Sequence, residues 1–123
     1  MIFICYAKPD RELVKEKIVS LFECLGLNYW WDQKEYSETK CTDYNDEIEK
    51  NIEKAKVFLI CHSSNWNNAR YCKFEYNFQL ELMTVDTSKQ IVVADISLSK
   101  LAYKLKDPRS SYSTYNIHDN KEH

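Results

Sequence analysis

The sequence predicts an α/β fold in which helices cover both faces of a five-stranded parallel sheet. Two observations carry this prediction. Short apolar runs such as Ile2–Tyr6 and Val57–Cys61 are typical of buried parallel strands, and amphipathic helical patterns lie between the runs. With 123 residues the chain has room for one hydrophobic core, and neither a repeat nor a linker divides it.

The first part of the chain predicts a strand, a helix and a second strand. After the strand Ile2–Tyr6, Pro9 and Asp10 open a helix, because proline is tolerated and acids are favoured in a first turn. Gly26, the only glycine, lies where this helix would end in the left-handed conformation, and Leu27–Trp31 follows as the second strand. The predicted buried stripe of the helix consists of apolar residues at three- and four-residue steps: Leu13, Val14, Ile18, Leu21, Phe22 and Leu25.

The middle of the chain predicts two further helices around a third strand. A polar stretch, Asp32–Thr42, leads to Asp43, which caps the second helix. The third strand is Val57–Cys61, and the third helix is expected to begin near Asn68 or Ala69. The expected buried residues are Ile48, Ile52 and Ala55 in the second helix, and Phe74, Phe78 and Leu82, spaced by four, in the third.

The last part of the chain predicts a fourth strand, Gln90–Asp95, rich in β-branched residues. A short helix over Leu98–Leu105 and a fifth strand over Tyr112–Ile117 complete the pattern. We therefore assign residues 1–117 to one flavodoxin-like, doubly wound domain and residues 118–123 to a polar tail. Because no final helix follows the fifth strand, we expect either that the fold ends early or that the tail is the junction to a missing C-terminal part.

Composition excludes two classes of partner for this domain. The net charge of -2 and the isoelectric point near 5.9 give no electrostatic footprint for nucleic acid. No basic run suggests an anionic membrane surface, and no apolar segment is long enough to span a bilayer. The N-terminus lacks the basic region and apolar core of a signal peptide.

The five cysteines do not predict a metal site. Their number is odd, their spacing is wide and no C-x-x-C pair occurs, so Cys61-His62 is only a weak hint of zinc. Cys5, Cys24 and Cys61 fall on apolar patterns and are expected to be small buried hydrophobes. Free thiols fit a reducing compartment, and we therefore expect a cytoplasmic protein.

One acid stands out as a candidate for chemistry. The strand Val57–Cys61 runs into a polar loop and then into a helix that carries Glu75 in its first turns. Ligands of open α/β sheets bind at the carboxyl ends of the strands, although a solvated helix acid beside Lys73 would show the same pattern. Tyr71 lies one turn earlier on the same helix face, where its ring would either stack on a ligand or pack in the core with its hydroxyl in water.

Other positions near the same end of the sheet are candidates for recognition. Tyr6 and Lys8 follow the first strand, and Lys8 would either meet a phosphate or remain a surface lysine, since no glycine-rich turn accompanies it. The adjacent Trp30 and Trp31 are expected on opposite faces of the second strand. Trp66 lies in a loop and is expected to be exposed.

Three blocks stand in order along essentially the whole chain. Ile2–Asp10 contains apolar residues, a tyrosine and an acid, Gly26–Asp32 contains a glycine, a strand and an aspartate, and the third block is Tyr71-Cys72-x-x-Glu75. Together they resemble a Toll/interleukin-1 receptor (TIR) domain, chiefly of the bacterial type. The sequence departs from the family where Tyr71 replaces a tryptophan, where Ala69 replaces a common serine, and in the loop after Asp32, which lacks glycine and proline.

The resemblance implies a reaction and a set of site residues. Many TIR domains of this kind cleave NAD at the bond between ribose and nicotinamide, so NAD would be the substrate and no cofactor would be needed. Glu75 would be the catalytic residue, and Tyr6, Lys8 and Tyr71 would bind substrate. The product would be ADP-ribose or a cyclic form of it, made by the effector part of a defence or signalling system.

The resemblance also implies partners. Self-association through TIR–TIR contacts would complete the site, with the loop Gln33–Cys41 as the first place to look for the contact, and a sensor domain or protein would supply the trigger. The alternative is a non-catalytic scaffold that joins other TIR domains. A third interpretation is an enzyme that cleaves the N-glycosidic bonds of nucleosides.

Overall fold

A computed structural model describes residues 1–32, 41–97, 102–106 and 113–116, with side chains for 1–32 and 46–97. Its six strands form one sheet in the order β2-β1-β3-β4-β5-β6. The strands are β1 Ile2–Cys5, β2 Tyr29–Trp30, β3 Val57–His62, β4 Gln90–Asp95, β5 Ala102–Lys106 and β6 Ser113–Asn116. The helices are α1 Arg11–Val14, α2 Ser20–Leu25, α3 Cys41–Lys54, α4 Ser64–Asn68 and α5 Arg70–Met83. The predicted tail, residues 118–123, and residues 33–40 of the predicted contact loop lie outside the described residues.

The parallel part of the sheet contains four strands, so the prediction of five parallel strands is wrong. Ile2 pairs with Tyr29 of β2 and with Val57 of β3, and Val57 pairs with Gln90 of β4, all in parallel register. In contrast, β5 and β6 are antiparallel, with Val93 of β4 opposite Lys104.

The antiparallel pairing follows from the length of the connections. A parallel crossover needs about a dozen residues or more, whereas only residues 96–101 separate β4 from β5. The short helix predicted over Leu98–Leu105 is also wrong, because residues 102–106 form β5. The fifth predicted strand falls on β6, at the edge of the sheet.

Helices cover both faces of the sheet, as the sequence predicts. The helical segment after β1 begins with a 3-10 turn, Lys8–Asp10, and a π-helical stretch, Lys15–Val19, separates α1 from α2. This segment packs on one face around Ile4, Val14, Ile18, Phe22 and Leu59. On the other face α3 and α5 pack around Phe3, Ile48, Ile52, Phe58 and Ile91.

The end of α2 differs in part from the prediction. Gly26 caps α2 with φ +68°, the left-handed conformation that favours glycine. Leu25 is 61% exposed, and Cys24 is exposed as well, so neither belongs to the core as predicted. Both lie in the final turn of α2, just before the Gly26 cap, and Cys24 stands two residues after Phe22 and so off the stripe formed by Val14, Ile18 and Phe22.

The C-terminus of α3 is capped by a lysine from a distant segment. Lys89 is buried, and its Nζ donates to the carbonyl oxygens of Ile52, Glu53 and Ala55 at 2.9, 2.9 and 2.6 Å. A cation at this end of a helix satisfies carbonyls without an intrahelical partner and opposes the negative end of the dipole. The contact fixes α3 relative to the segment that enters β4.

Within the described residues, no helix has both the length and the hydropathy that crossing a bilayer would require.

Candidate active site at the carboxyl ends of the strands

The loops after β1 and β3 are joined by a hydrogen-bonded aspartate. Asp10 is buried, and its carboxylate accepts hydrogen bonds from the Ser63 hydroxyl and from Asn65 Nδ2, the latter at 2.7 Å. Ser63 also caps α4, since its Oγ accepts from the Trp66 backbone N–H at 3.1 Å. This arrangement holds the entrance to α4 against the end of β1.

Ala69 separates the predicted third helix into two. Its extended backbone, with φ -88° and ψ 114°, ends α4 and allows α5 to start in a new direction at Arg70. The predicted start of the long helix near Asn68 or Ala69 is therefore close to the start of α5.

The buried face of α5 differs from the prediction. Phe74 is 47% exposed, and Phe78 and Leu82 are only partly buried. The buried positions of α5 are Cys72, Glu75, Gln79 and Met83. Hydrophobic periodicity could not identify this face because two of its residues are polar, and burial of polar groups is costly in an ordinary core.

Glu75 lies inside the protein at the carboxyl end of β1. Its side chain is 4% exposed, and burial raises the pKa of its carboxyl from 4.5 to about 8. A hydrogen bond with the Cys5 thiol lowers the pKa, and the charge of Asp32 raises it. The carboxyl therefore carries a proton most of the time at neutral pH in this arrangement.

Tyr6 interacts with this carboxyl electrostatically and packs in the core of the other face of the sheet. It is buried, its hydroxyl donates to the backbone carbonyl of Asp32, and its ring centroid lies 5.5 Å from that of Trp31. Burial raises the pKa of Tyr6 to about 12, with Arg11 lowering it and the charges of Asp32 and Glu75 among the smaller effects that raise it. The phenol is therefore neutral and already uses its proton in a hydrogen bond.

The other two predicted substrate-binding residues lie at the surface. Lys8 is exposed in the turn that follows β1, and Tyr71 is 43% exposed in the first turn of α5. Tyr71 lies four residues before Glu75 on the same helix, but Tyr71 is exposed whereas Glu75 is buried. Lys8 and Tyr71 thus lie at the surface, whereas Tyr6 is a core residue of the α1–α2 face that interacts with Glu75 only through its charge.

The tryptophans separate into three different environments. Trp30 stacks on Phe3 at 5.2 Å on one face of the sheet, and Trp31 belongs to the core of the other face, as predicted. The expectation of an exposed Trp66 is wrong, because this residue is 7% exposed and packs edge-on against Tyr76 at 6.0 Å. Its position in a short helix that folds back on β1, not in an open loop, explains the difference.

Sequence reasoning missed the residues that surround the predicted acid. Trp66 Nε1 donates to Cys5 Sγ at 3.3 Å, and the Cys5 thiol donates to the Cys72 carbonyl oxygen at 3.9 Å. Asp10, Asp32 and Ser63 are further buried polar residues at this end of the sheet. The available signal was the position of Cys5, Asp32 and Ser63 at or just beyond the ends of three neighbouring parallel strands.

The carboxyl is closed off from the surface in this arrangement. A cleft of about 580 Å³ runs along β2 and is lined by residues that include Trp30, Trp31, Asp32 and Glu47. Glu75 does not line it. Within the described part of the chain, no group of three histidine, cysteine, aspartate or glutamate residues could hold a metal ion.

Comparisons with known proteins agree with the architecture. The fold is similar to that of the TIR domain of the Toll-related receptor TRR-2 from Hydra magnipapillata, with a TM-score of 0.59 and 22% sequence identity. The match covers 75% of this chain and 66% of the Hydra chain, just under two thirds, and at this identity it shows the fold alone. No curated protein matches the chain significantly. The family model for the TIR domain matches residues 2–120, nearly the whole chain, and the protein therefore belongs to the TIR domain family.

Proposed function

We propose that this TIR domain cleaves NAD at the ribose–nicotinamide bond, with Glu75 as its catalytic residue. The observation that carries the proposal is a buried carboxyl with a raised pKa at the carboxyl ends of the parallel strands. Ionisable groups with strongly perturbed pKa values are concentrated at functional sites, and ligands of doubly wound sheets bind at this end. Tyr6 and Asp32 both interact electrostatically with this carboxyl.

The proposed reaction needs one anionic group near the ribose. The C1′–N bond breaks, its electron pair goes to the nicotinamide nitrogen, and the cationic ring leaves as a neutral molecule without a general acid. The Glu75 carboxylate would stabilise the positive charge that develops on the sugar and hold the ribose hydroxyls. Water then attacks C1′ and releases one proton to solvent to give ADP-ribose, or a nitrogen of the adenine attacks it to give a cyclic product.

The burial of Glu75 supports a requirement for activation. A carboxyl that is 4% exposed and mostly protonated at neutral pH can neither reach a ribose nor supply a negative charge. Opening of the site would expose the carboxyl to water and return its pKa towards 4.5, so that the carboxylate forms. Self-association through TIR–TIR contacts, driven by a sensor domain or protein, would be the event that opens it.

The test is NAD consumption, with products resolved by chromatography, across a range of protein concentrations. We compare the wild type with Glu75→Gln, which keeps the shape, and with Glu81→Gln, which changes an exposed glutamate on the same helix. The wild type and Glu81→Gln should consume NAD with a rate per molecule that rises with concentration, and Glu75→Gln should lose at least about a hundredfold. Equal rates for Glu75→Gln and the wild type would refute the role of Glu75.

The second candidate function is a non-catalytic scaffold. The observation that favours it is a pair of exposed aromatic side chains on the outer face of α5, Tyr71 at 43% and Phe74 at 47% exposure. Large exposed aromatics are enriched at protein interfaces. A scaffold would bind other TIR domains while leaving NAD intact at every concentration, and Phe74→Ser would weaken that binding.

The proposal also includes the choice of substrate and the location of the protein. Free nucleosides offered in place of NAD would distinguish the NAD-cleaving enzyme from an enzyme of nucleoside N-glycosidic bonds. The described cysteines, Cys5, Cys24, Cys61 and Cys72, are free thiols, which supports a reducing, cytoplasmic location.

A further inference from the structure

The side-chain amide of Gln79 is buried without a hydrogen-bond partner. Gln79 lies on α5 and is 1% exposed, and within the part of the chain that the structure describes neither its Nε2 nor its Oε1 has a partner. A primary amide offers two N–H donors and a carbonyl acceptor, and leaving them unpaired inside a protein is costly. Native proteins contain few such groups, so this amide requires a physical explanation.

Gln79 and Glu75 belong to the same buried face of α5. Glu75 is 4% exposed and lies four residues, about one helical turn, before Gln79. Residues at this spacing have Cβ atoms about 5–6 Å apart on one face of a helix. Helical side chains lean back towards the N-terminus, so the Gln79 side chain leans over the turn that carries Glu75. Both side chains are long and unbranched, and a change of rotamer at Gln79 therefore brings its Nε2 within reach of the Glu75 carboxyl.

The charge of Glu75 decides how strongly its carboxyl attracts this donor. A carboxylate accepts charge-assisted hydrogen bonds that are shorter and roughly twice as strong as those between neutral groups. In the closed site the carboxyl is mostly neutral at neutral pH, because burial raises its pKa to about 8. The amide of Gln79 has no partner in this arrangement. Ionisation of Glu75 creates the strong acceptor that the amide lacks.

We propose that Gln79 is a positioning residue for Glu75: when the carboxyl loses its proton to solvent, the Gln79 amide turns and donates a hydrogen bond to the carboxylate. The glutamine stays neutral and transfers no proton. Its amide then lowers the cost of a negative charge inside the protein and fixes the direction of the carboxylate oxygens. The consequence for catalysis rests on the proposed function, whereas the hydrogen bond itself does not.

The other groups around Glu75 give its carboxylate little support. Burial and the charge of Asp32, from the segment after β2, raise the pKa of Glu75, and a hydrogen bond with the Cys5 thiol of β1 lowers it. Tyr6, after β1, also interacts with it electrostatically. The residues of β3 and β4 in the core of this face are apolar, and α4 carries no titratable side chain. The charged residues among the described side chains of α3, which packs against α5, are not among the groups that shift Glu75: Asp46, Glu47, Glu49, Lys50, Glu53 and Lys54.

The experiment follows two NMR signals as the pH is raised: the carbon-13 shift of the Glu75 carboxyl and the side-chain amide shifts of Gln79. Gln79→Met removes the amide and keeps a long, unbranched side chain. Met83→Leu is the matched control, because Met83 is buried one turn further along α5. Glu75→Gln identifies the carboxyl signal by its loss, and the exposed Asn77 on the same helix supplies a reference amide.

We expect the Gln79 amide shifts to change with the same midpoint as the Glu75 carboxyl, and this change should be absent in Glu75→Gln and from the Asn77 amide. The Glu75 midpoint should rise by roughly 1 in Gln79→Met, the size of one hydrogen bond to a charged group, and stay unchanged in Met83→Leu. The proposal is overturned if the Gln79 amide does not follow the Glu75 midpoint, or if Gln79→Met titrates like the wild type. If Gln79→Met does not fold, the amide shifts of the wild type and Glu75→Gln decide the matter.

This titration needs no NAD, so its outcome is separate from that of the proposed function. If the wild type cleaves NAD, Gln79→Met should lower kcat several-fold with little change in KM and move the acidic limb of the pH–rate profile to higher pH, because Gln79 acts on the carboxylate and not on the substrate. A purely structural role of Gln79 would not move that limb. If NAD stays intact while the NMR shifts behave as expected, the proposed function fails and the hydrogen bond stands. If NAD is cleaved while the Glu75 midpoint is the same in Gln79→Met, the hydrogen bond is refuted and the proposed function stands.

Discussion

Replacing Glu75 by glutamine should stabilise the folded protein, and the gain should grow as the pH rises. Glutamine has nearly the same shape but no charge. The native carboxyl, in contrast, must either keep its proton or carry a negative charge inside the protein, which is unfavourable. Its pKa is about 8 in the folded state, against 4.5 for an unperturbed glutamate. Between these two values the unfolded chain releases a proton that the folded chain retains.

The size of the effect follows from the two pKa values. They differ by about 3.5, and at about 1.36 kcal/mol per tenfold change this corresponds to about 5 kcal/mol. Stability from the protonated carboxyl is fully present below about pH 4.5 and is lost as the pH rises towards 8. The free energy of unfolding of the wild type should therefore be lower than that of Glu75→Gln by about 1 kcal/mol near pH 5, about 3 kcal/mol near pH 7 and more than about 4 kcal/mol near pH 8.5.

The assay is urea unfolding of both proteins at these three pH values, with linear extrapolation to water. The dependence on pH is the result that matters, because any fixed difference between amide and carboxyl cancels from it. Glu81→Gln, an exposed change on the same helix, is measured beside it as the control. A constant difference between Glu75→Gln and the wild type would show that the Glu75 carboxyl is not desolvated, and the argument for a perturbed site would fail with it.

Two further predictions concern the framework that holds the site. Lys89→Met should lower the free energy of unfolding by about 1–3 kcal/mol, because three carbonyls at the end of α3 lose the lysine as a donor. The exposed Lys56→Met, in contrast, should barely change the melting temperature. Equal melting temperatures for the two variants would contradict the capping role. Ser63→Ala should cost about 1–2 kcal/mol in urea unfolding, since α4 loses its cap and Asp10 loses a donor, and a loss below about 0.5 kcal/mol would contradict it.

The sequence was sufficient for the parts of the fold that depend on apolar pattern. Strands such as Val57–His62 are nearly continuous apolar runs, and the turn at Gly26 needs the left-handed conformation that glycine supplies. The same reasoning placed Glu75 at the mouth of the sheet, because strand order and loop position are enough for that. It could not show that Glu75 is buried, since a lone acid on a helix is normally solvated.

The wrong predictions share a physical cause. The hydrophobic pattern of a sequence does not show which residues pack against a given side chain. Phe74 is exposed although it has the spacing of a core residue, and Gln79, which is polar, is 1% exposed. Trp66 is buried in the core beside Tyr76, and Cys5, 61 positions away, accepts a hydrogen bond from its indole. The direction of β5 depends on connection length and on the free edge of β4, neither of which is visible in the composition of Ala102–Lys106.

The mixed sheet has a consequence for the order in which the protein folds. Pairing Val93 with Lys104 closes a short hairpin, whereas pairing Ile2 with Val57 must bring together residues that are nearly half the chain apart. Closing a loop costs more entropy as the loop lengthens, and nonlocal pairings slow folding. We therefore expect the hairpin from β4 to β6 to form early and the pairing of β1 with β3 to come late. Cys5 and Trp66 meet only when that late pairing is complete, so the buried site forms among the last parts of the protein.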